Sequence, residues 1–467
     1  LFESHVDERP LPPLIVDVLN TDKNKRSGKK ERHRPGSKKT IEDLHRAASL
    51  CYMGGMNVCY TSGPRTSGPY IDMDLNRAYP TALAGCVVPD WSKTRVIKSI
   101  ALSKMTVDER NAFFDTWAYG FGRCDFSFPK GTLHPCLPQR DPSGGGLIYT
   151  REGENVPVSI PELRLALELG ARVYVRDMIV APYRNSEDRY VSPFKLAVDV
   201  FTRLREDAAS RSDSLTESMS KEMLNSVYGK IAQGILRRGG GNILWSPRSG
   251  NAPLRMPTSY LTNAVYASHL TSHIRAILSA VANRLHTAKY TVESITTDGI
   301  ITNAPKEFFD EIEMGSDALN EVLKRSISAE FRPWKFKHFM DSFINIKTRG
   351  NIAPNDDGVI ARAGYRNDSN EWETSQEERE VLIEKYLSRD GSLEGHFRQI
   401  GGLRAMFESD EDVAVRDVTR QTNWEVDDKR CFFPEGMVEY EGHSHLAMRS
   451  VPWERLSDYA RRRKNRK

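Results

Sequence analysis

Cysteine is scarce and lacks any pairing pattern: the 467 residues hold six (Cys51, Cys59, Cys86, Cys124, Cys136 and Cys431), with no C-x-x-C and no paired metal spacing. This argues against a disulfide scaffold or a zinc ribbon and favours a reducing cytoplasm. No apolar run reaches membrane-spanning length and no signal-peptide pattern opens the chain, so no membrane partner is expected. No G-x-x-x-x-G-K run occurs, which leaves an ATPase reading without support. A large net charge is also missing, the formal value being +4. That small sum hides a segregation: residues 21–40 carry +7, residues 461–467 carry +6, and the remainder is −9. Both basic segments are poor in apolar residues, so they read either as solvated tails or as nonspecific, salt-sensitive contacts to nucleic acid. Leu1 stands where an initiator Met would, which is expected of a piece of a longer chain.

Three patterned runs stand out among what is present. In Lys221-Glu222-Met223-Leu224-Asn225-Ser226-Val227-Tyr228-Gly229-Lys230, helical spacing predicts a buried stripe of Met219, Met223, Val227 and Ile231. Lys221, Asn225 and Tyr228 then share the opposite face at i, i+4 and i+7, so a cation, an amide and a phenol look outward together. Periodicity alone fits an ordinary solvated helix face as well. Tyr70 to Pro80 begins as an alternating strand, with Tyr70, Asp72 and Asp74 on one face and Ile71 and Met73 on the other, and breaks at Pro80. Aspartate is disfavoured on strands, so two on one face imply either an exposed edge or a ligand. In Tyr290 to Thr302, two β-rich arms meet at Asp298-Gly299, a hairpin signal that puts a carboxylate at the tip as turn-former or as ligand.

A coarse pass reads residues 1–45 as linker, followed by a short helix ending near Leu50 and by strands to about residue 95. Residues 96–190 mix short strands with one helix, Glu162 to Leu169, closed by Gly170. A helical hairpin follows: Lys195 to Ser210, a turn at Ser212-Asp213-Ser214, and a capping box Ser214-x-x-Glu217. Arg205 and Lys221 each lie eight residues from Asp213, hence about 12 Å up either arm at about 1.5 Å per residue. They can face each other as a phosphate clamp, with Arg203 as a substitute for Arg205, or stand as solvated cations. Thr271 and Arg275 sit one turn apart beside an apolar stripe of Leu270, Ile274, Leu278, Val281 and Leu285. Ser375-x-x-Glu378 caps a later helix in an otherwise mixed, polar region.

Taken in order, these runs resemble the motifs of family B DNA polymerases over roughly residues 50 to 350. Lys221 to Gly229 is similar to the K-x-x-x-N-S-x-Y-G element. Asp74 to Pro80 resembles D-x-x-S-L-Y-P, with Arg77 and Ala78 in place of Ser and Leu. Thr297-Asp298-Gly299 resembles the end of Y-x-D-T-D-S, with Gly299 for Ser, Thr296 for the first acid and Ser294 for the tyrosine. Tyr52-Met53-Gly54-Gly55 is similar to Y-x-G-G. Thr271 and Arg275 resemble T-x-x-G-R with Ile274 for Gly, and Lys347-Thr348-Arg349 resembles K-x-Y with Arg349 for Tyr.

The resemblance implies an α+β right-hand polymerase with palm, fingers and thumb. Its expected divisions are 1–50 linker or remnant of an upstream domain, 51–95 first palm part, 96–190 palm insertion, 191–237 fingers, 238–350 second palm part, and 351–467 thumb with a basic tail. Asp74, Asp298 and the Leu75 carbonyl would hold two Mg²⁺ ions, or Mn²⁺. Lys221 and Arg205 would neutralise the triphosphate, Asn225 and Tyr228 would shape the base-pair pocket, and Tyr79 would lie beneath the sugar. Tyr52, Gly54, Gly55, Thr271, Arg275, Lys347 and Arg349 would contact DNA. The partners implied are template-primer DNA and dNTPs. Intervals of 147 residues from Asp74 to Lys221 and 77 from Lys221 to Asp298 resemble the protein-primed viral and plasmid branch, which adds a terminal protein. There, Gly239-Gly240-Gly241 reads as the tip of a second insertion's hairpin or as a surface loop. Two alternatives remain: a catalytically degenerate DNA-binding scaffold, because Thr296 replaces an acid, and a primase or RNA polymerase on the same palm. No proofreading acids are identifiable.

Overall fold

A helix that is apolar or small on nearly every face is stable only when surrounded, and Ala264–Thr287 is such a helix, with Leu270, Ile274, Leu278, Val281 and Leu285 fully buried. Asn263 starts it by accepting the Val265 and Tyr266 amides on its side chain. In the computed structural model, which describes residues 35–464 apart from 143, 145, 184–191, 236–242, 245–253, 256–257, 325–331, 356, 367–374, 389–392 and 410–412, this helix is the centre of a mixed α+β fold. The helices Lys38–Cys51 and Ile160–Glu168 pack on it, together with the inner face of a five-stranded sheet.

That sheet is antiparallel, in the order Met56–Cys59, Val292–Thr297, Gly299–Thr302, Tyr70–Leu75, Trp334–Met340. Ile71, Met73 and Leu75 enter the core while Asp72 and Asp74 stay half-buried on the other face, as the alternation predicts. The edge-strand expectation fails, because Tyr70–Leu75 is flanked on both sides. Pro80 does not stop the chain either: it sits in the first turn of the helix Ala78–Ala84, where its missing N–H costs nothing. The left-handed turn at Arg77, φ 49°, makes the break instead.

A six-stranded sheet runs Ile360–Arg362, Gly350–Ile352, Phe343–Lys347, Thr61–Arg65, His443–Val451, Cys431–Tyr440. Residues 431–451, expected with the thumb, therefore pair with a strand from the start of the chain. A four-stranded sheet fills the span 95–182, in the order Arg95–Ile100, Arg172–Pro182, Trp117–Ser127, Glu152–Ser159. A second helix there, Val107–Thr116, escaped the sequence reading. The expected 1–45 linker is shortened, since helix begins at Lys38. Most of the basic segment 21–40 lies outside the described residues, as does Gly239-Gly240-Gly241. Nearby, Ile243–Leu244 pairs with Leu254–Arg255. Of the other basic segment, residues 461–464 are described: they lie in the helix Leu456–Lys464, whose Arg463 and Tyr459 both bond the Asp141 carboxylate, at 2.9 and 2.8 Å. All six thiols are free. Among the described residues no helix is long and apolar enough to cross a membrane.

The helical hairpin forms as expected, from Lys195–Ser210 and Ser214–Ala232. Its cap differs, because Asp213 accepts the Thr216 amide and Glu217 is left to meet Arg205. Its buried stripe differs too. Ser220, Leu224 and Ile231 face inward, whereas Met219 and Met223 are 57% and 49% exposed. A strict four-residue spacing drifts about 40° per step around a helix of 3.6 residues per turn. Leu224, Val227, Tyr228 and Ile231 alternate three and four and hold one face.

Arg275 anchors the core. Its guanidinium, fully buried, pairs with Glu162 at 2.7 Å and donates to the Met53 and Gly54 carbonyls at 2.9 and 2.8 Å. Arg275→Met would strand the Glu162 carboxylate, with an expected cost of about 3–5 kcal/mol. Urea unfolding midpoints of the two proteins check this, and a midpoint unchanged by the substitution contradicts it.

Candidate active site

A carboxylate at the end of a central strand meets a second one at a hairpin tip. The hairpin turns on Thr297 and Asp298, with Thr296 opposite Gly299 and Gly299 opposite Asp74 in the next ladder. The expected Asp-Gly tip is thus displaced by one residue. Asp298 donates its amide to the Thr296 carbonyl at 2.6 Å and accepts the Leu75 amide at 2.7 Å, which ties the tip to the end of the Tyr70–Leu75 strand. Thr297 takes the left-handed conformation, φ 59°, that a β-branched residue resists. Arg349 and Asn57 hold it there: Arg349 Nη2 donates to Thr297 Oγ1 at 3.1 Å and Nε to Asn57 Oδ1 at 3.0 Å, while Thr297 Oγ1 donates to Asn57 Oδ1 at 3.2 Å.

Gly299 is required by close approach. A Cβ at this position would lie 2.7 Å from Asp74 Oδ1 and 3.6 Å from Asp72 Oδ1, so both carboxylates lean into the hollow it leaves. Lys337 completes the cluster, its Nζ 3.1 Å from Asp74 Oδ2. The ladder shifts register between Phe336 and His338, which makes Lys337 the extra residue of a bulge. Sequence inspection singled out neither Asp72 as a site residue nor Lys337; the alternation that paired Asp72 with Asp74 was the available signal for the first.

Oxygens of Asp74, Asp72 and the Met73 carbonyl crowd the point where a Gly299 Cβ would sit, a donor set that fits a hard divalent cation. Among the described residues no three Asp, Glu, His or Cys side chains converge at ligand distance. Asp74 and Asp298 stand near enough for one charge to act on the other, and one or two carboxylates plus substrate phosphates commonly suffice for magnesium.

The tyrosines gather beside this cluster. Tyr79 and Tyr228 stack with centroids 4.4 Å apart, and the Tyr228 and Tyr52 hydroxyls bond at 3.0 Å. Tyr228 is half-buried, so it leaves the outward face that Lys221 and Asn225 keep. Burial, then the charge of Asp298, pushes the Tyr79 hydroxyl up to about 12. The Tyr52–Gly55 loop is held by its carbonyls, Tyr52 accepting from Arg140 and Met53 and Gly54 from Arg275. Gly55 lies against the hairpin tip, and a Cβ there would come 3.0 Å from Thr297 Cγ2.

Other expected residues stand apart. Thr271 and Arg275 are 1% and 0% exposed, so neither meets DNA directly; Arg275 acts on the Tyr52–Gly55 loop from behind. Their i, i+4 spacing put them on one face, and that face turned out to be inside. Arg205 does not pair up with Lys221 but bonds Glu217, through Nε and Nη2 at 3.3 Å. Lys347 donates to the Asn423 carbonyl at 2.7 Å.

Like charges make the cluster costly without metal. Burial, then Asp74, pushes the Asp298 carboxyl up to about 6, with Lys337 pulling it down. Burial, then Asp74, pushes Asp72 to about 7, again against Lys337. A carboxyl raised by folding binds more protons in the native state, so stability falls as pH rises from the unfolded value near about 4 through these two values. With chelator present, the thermal midpoint should drop across that window, and Asp298→Asn should shrink the drop and melt higher at about pH 8. Calorimetry across the window decides it, and a variant profile identical to the parent refutes the crowding.

No protein-family model matches the chain. It is 30% identical over 434 residues, 88% of its length, to the primer-independent DNA polymerase PolB of Escherichia coli, and it spans 45% of that protein. Its fold matches Phi29 DNA polymerase complexed with primer-template DNA and incoming nucleotide substrates, with TM-score 0.53 and 15% identity, covering 83% of this chain and 63% of that one. The second likeness carries the fold alone. The sequence identity makes this chain a homologue of that Escherichia coli DNA polymerase over the portion the two share.

Proposed function

We propose that the chain is the polymerising portion of a DNA-directed DNA polymerase, adding dNTPs to a 3′-hydroxyl on a DNA template. The observation that carries this is the closeness of Asp74, at the end of its strand, to Asp298 at the hairpin tip, whose main-chain carbonyl accepts the Leu75 amide. Asp74, Asp298 and the Leu75 carbonyl would hold Mg²⁺, whose two-ion chemistry activates the 3′-hydroxyl and stabilises the leaving pyrophosphate. Lys221, exposed on the second arm of the helical hairpin, reaches for the triphosphate as a flexible cation. Arg205 joins it only by leaving Glu217. Tyr79, propped by Tyr228, lies against the sugar, and Asn225 with Tyr228 borders the base pair. The Tyr52–Gly55 loop and Arg349 run beside the strands.

On this reading the five-stranded sheet is the palm, the hairpin is the fingers, residues 96–190 are an insertion, and the ribbon Leu393–Ile400 with Val415–Thr422 belongs to the thumb. Initiation without a primer is favoured over a terminal protein, because the 30% identical relative is named for primer independence. Labelled product from a circular single-stranded template without primer supports it, and product only after adding a primer refutes it.

Asp74→Asn and Asp298→Asn should each abolish Mg²⁺-dependent extension of a primed template while DNA binding persists in a mobility-shift assay. Extension near the parental rate by either variant would sink the assignment, and an inactive parent that still binds DNA would favour the scaffold reading.

Tyr79→Val should relax sugar discrimination, because removing the ring removes a clash with a 2′-hydroxyl. The lost stack with Tyr228 is worth about 0.5–1.5 kcal/mol beyond area, so the variant should still fold. Matched dNTP and rNTP incorporation, beside a thermal melt, tests this. Unchanged discrimination in a folded variant removes Tyr79 from beneath the sugar.

A further inference from the structure

The hairpin position that resembles an acid in the family is Thr296 here, so the site is one negative charge short on that strand. The neighbouring strand has one to spare. Asp72 lies two residues before Asp74 in a strand whose inward face is wholly apolar, opposite Ile301 on one side and His338 on the other. Its Oδ1 lies 3.6 Å from the point where a Gly299 Cβ would sit, over the same hollow that receives Asp74. A side chain at position 299 would fill that hollow and separate the two acids. Among the described residues the Asp72 carboxylate accepts no hydrogen bond and makes no ion pair, the nearby Lys337 being paired with Asp74 instead. Lys337, the cation that meets the cluster, is bonded to Asp74, and its side chain is 38% exposed.

We propose that Asp72 supplies the charge missing at Thr296, acting as a positioning residue on the hydration shell of the metal that Asp74 and Asp298 ligate. This rests on the polymerase reading of the site. Direct ligation is not needed and does not match the absence of a three-donor convergence among the described residues. A magnesium ion keeps several waters when bound by few carboxylates, and a carboxylate behind those waters fixes their orientation and raises affinity. Thr296, an uncharged hydroxyl half-buried on the far strand, offers neither the charge nor a second acceptor oxygen. The negative charge has moved from one strand of the antiparallel sheet to another while the site keeps three acids.

The test is Mn²⁺ binding to the full chain, followed by electron paramagnetic resonance of the free ion, with no nucleotide or DNA present. Asp72→Asn should weaken binding by about 10- to 100-fold, the usual range for losing a residue behind a metal's ligands. Its metal-free melting point should not fall, because a like charge has been removed. Thr296→Asp on the Asp72→Asn background should recover most of the lost affinity. Parental affinity in Asp72→Asn, or a loss that Thr296→Asp does not repair, overturns the proposal. Asp72→Ser, which cannot accept with a charge, should behave as Asp72→Asn does and covers the case in which that variant fails to fold. Asp74→Asn keeps the two ideas apart: if it too binds Mn²⁺ normally, the metal-site reading fails, whereas weakening in Asp74→Asn alone removes only the role of Asp72.

Discussion

The ion pair between Arg275 and Glu162, sealed at 0% and 3% side-chain exposure, is the constraint on which the site depends. A buried charge pair adds little net stability compared with apolar packing but cannot lose one partner cheaply. It therefore fixes geometry more than it contributes energy. Arg275 comes from the central helix, Glu162 from the insertion, and the two carbonyls it also satisfies come from the loop after the first helix. That loop carries Tyr52, whose hydroxyl meets Tyr228 on the helical hairpin. One guanidinium is thus linked to the helical hairpin through that loop and the Tyr52–Tyr228 hydrogen bond.

The carboxylates show the opposite economy. Burial, and then the neighbouring Asp74 charge, holds the Asp72 and Asp298 carboxyls above their usual range against the pull of Lys337, which weakens the metal-free fold. Thr297 adds backbone strain at the same tip, held by Arg349 and Asn57. Strain and repulsion of this kind persist only where the surroundings over-determine them. Here the surroundings are two ladders and a tethered turn.

Local patterns were legible and long-range ones were not. The alternation in Tyr70–Leu75 and the hairpin at Asp298 are set by neighbours in sequence, and both appear in the fold. Whether that strand is central or an edge depends on Trp334–Met340, some 260 residues away, which no local pattern encodes. The same limit explains Thr271 and Arg275: their helical face was evident, but what covers it is the insertion. It explains Met219 and Met223, whose apolar character matched a buried stripe that Leu224 and Ile231 supply. Lys337 was invisible because a bulge, not alternation, brings it to the acids.

The strand Thr61–Arg65 lies between Phe343–Lys347 and His443–Val451, and Ser450 Oγ bonds the Tyr60 carbonyl across 390 residues. Closing so long a loop is an entropic debt that must be met before any contact across it contributes. On the ribosome, the site-bearing sheet can pair once about residue 340 has emerged, but the adjoining sheet must wait with an open, hydrogen-bonding edge until residues 431–451 arrive. Such an edge is a template for pairing with other chains. Assembly of this molecule is therefore exposed to aggregation while residues 341–451 are being made, and chaperone dependence would be set by that interval and not by the stability of the finished fold.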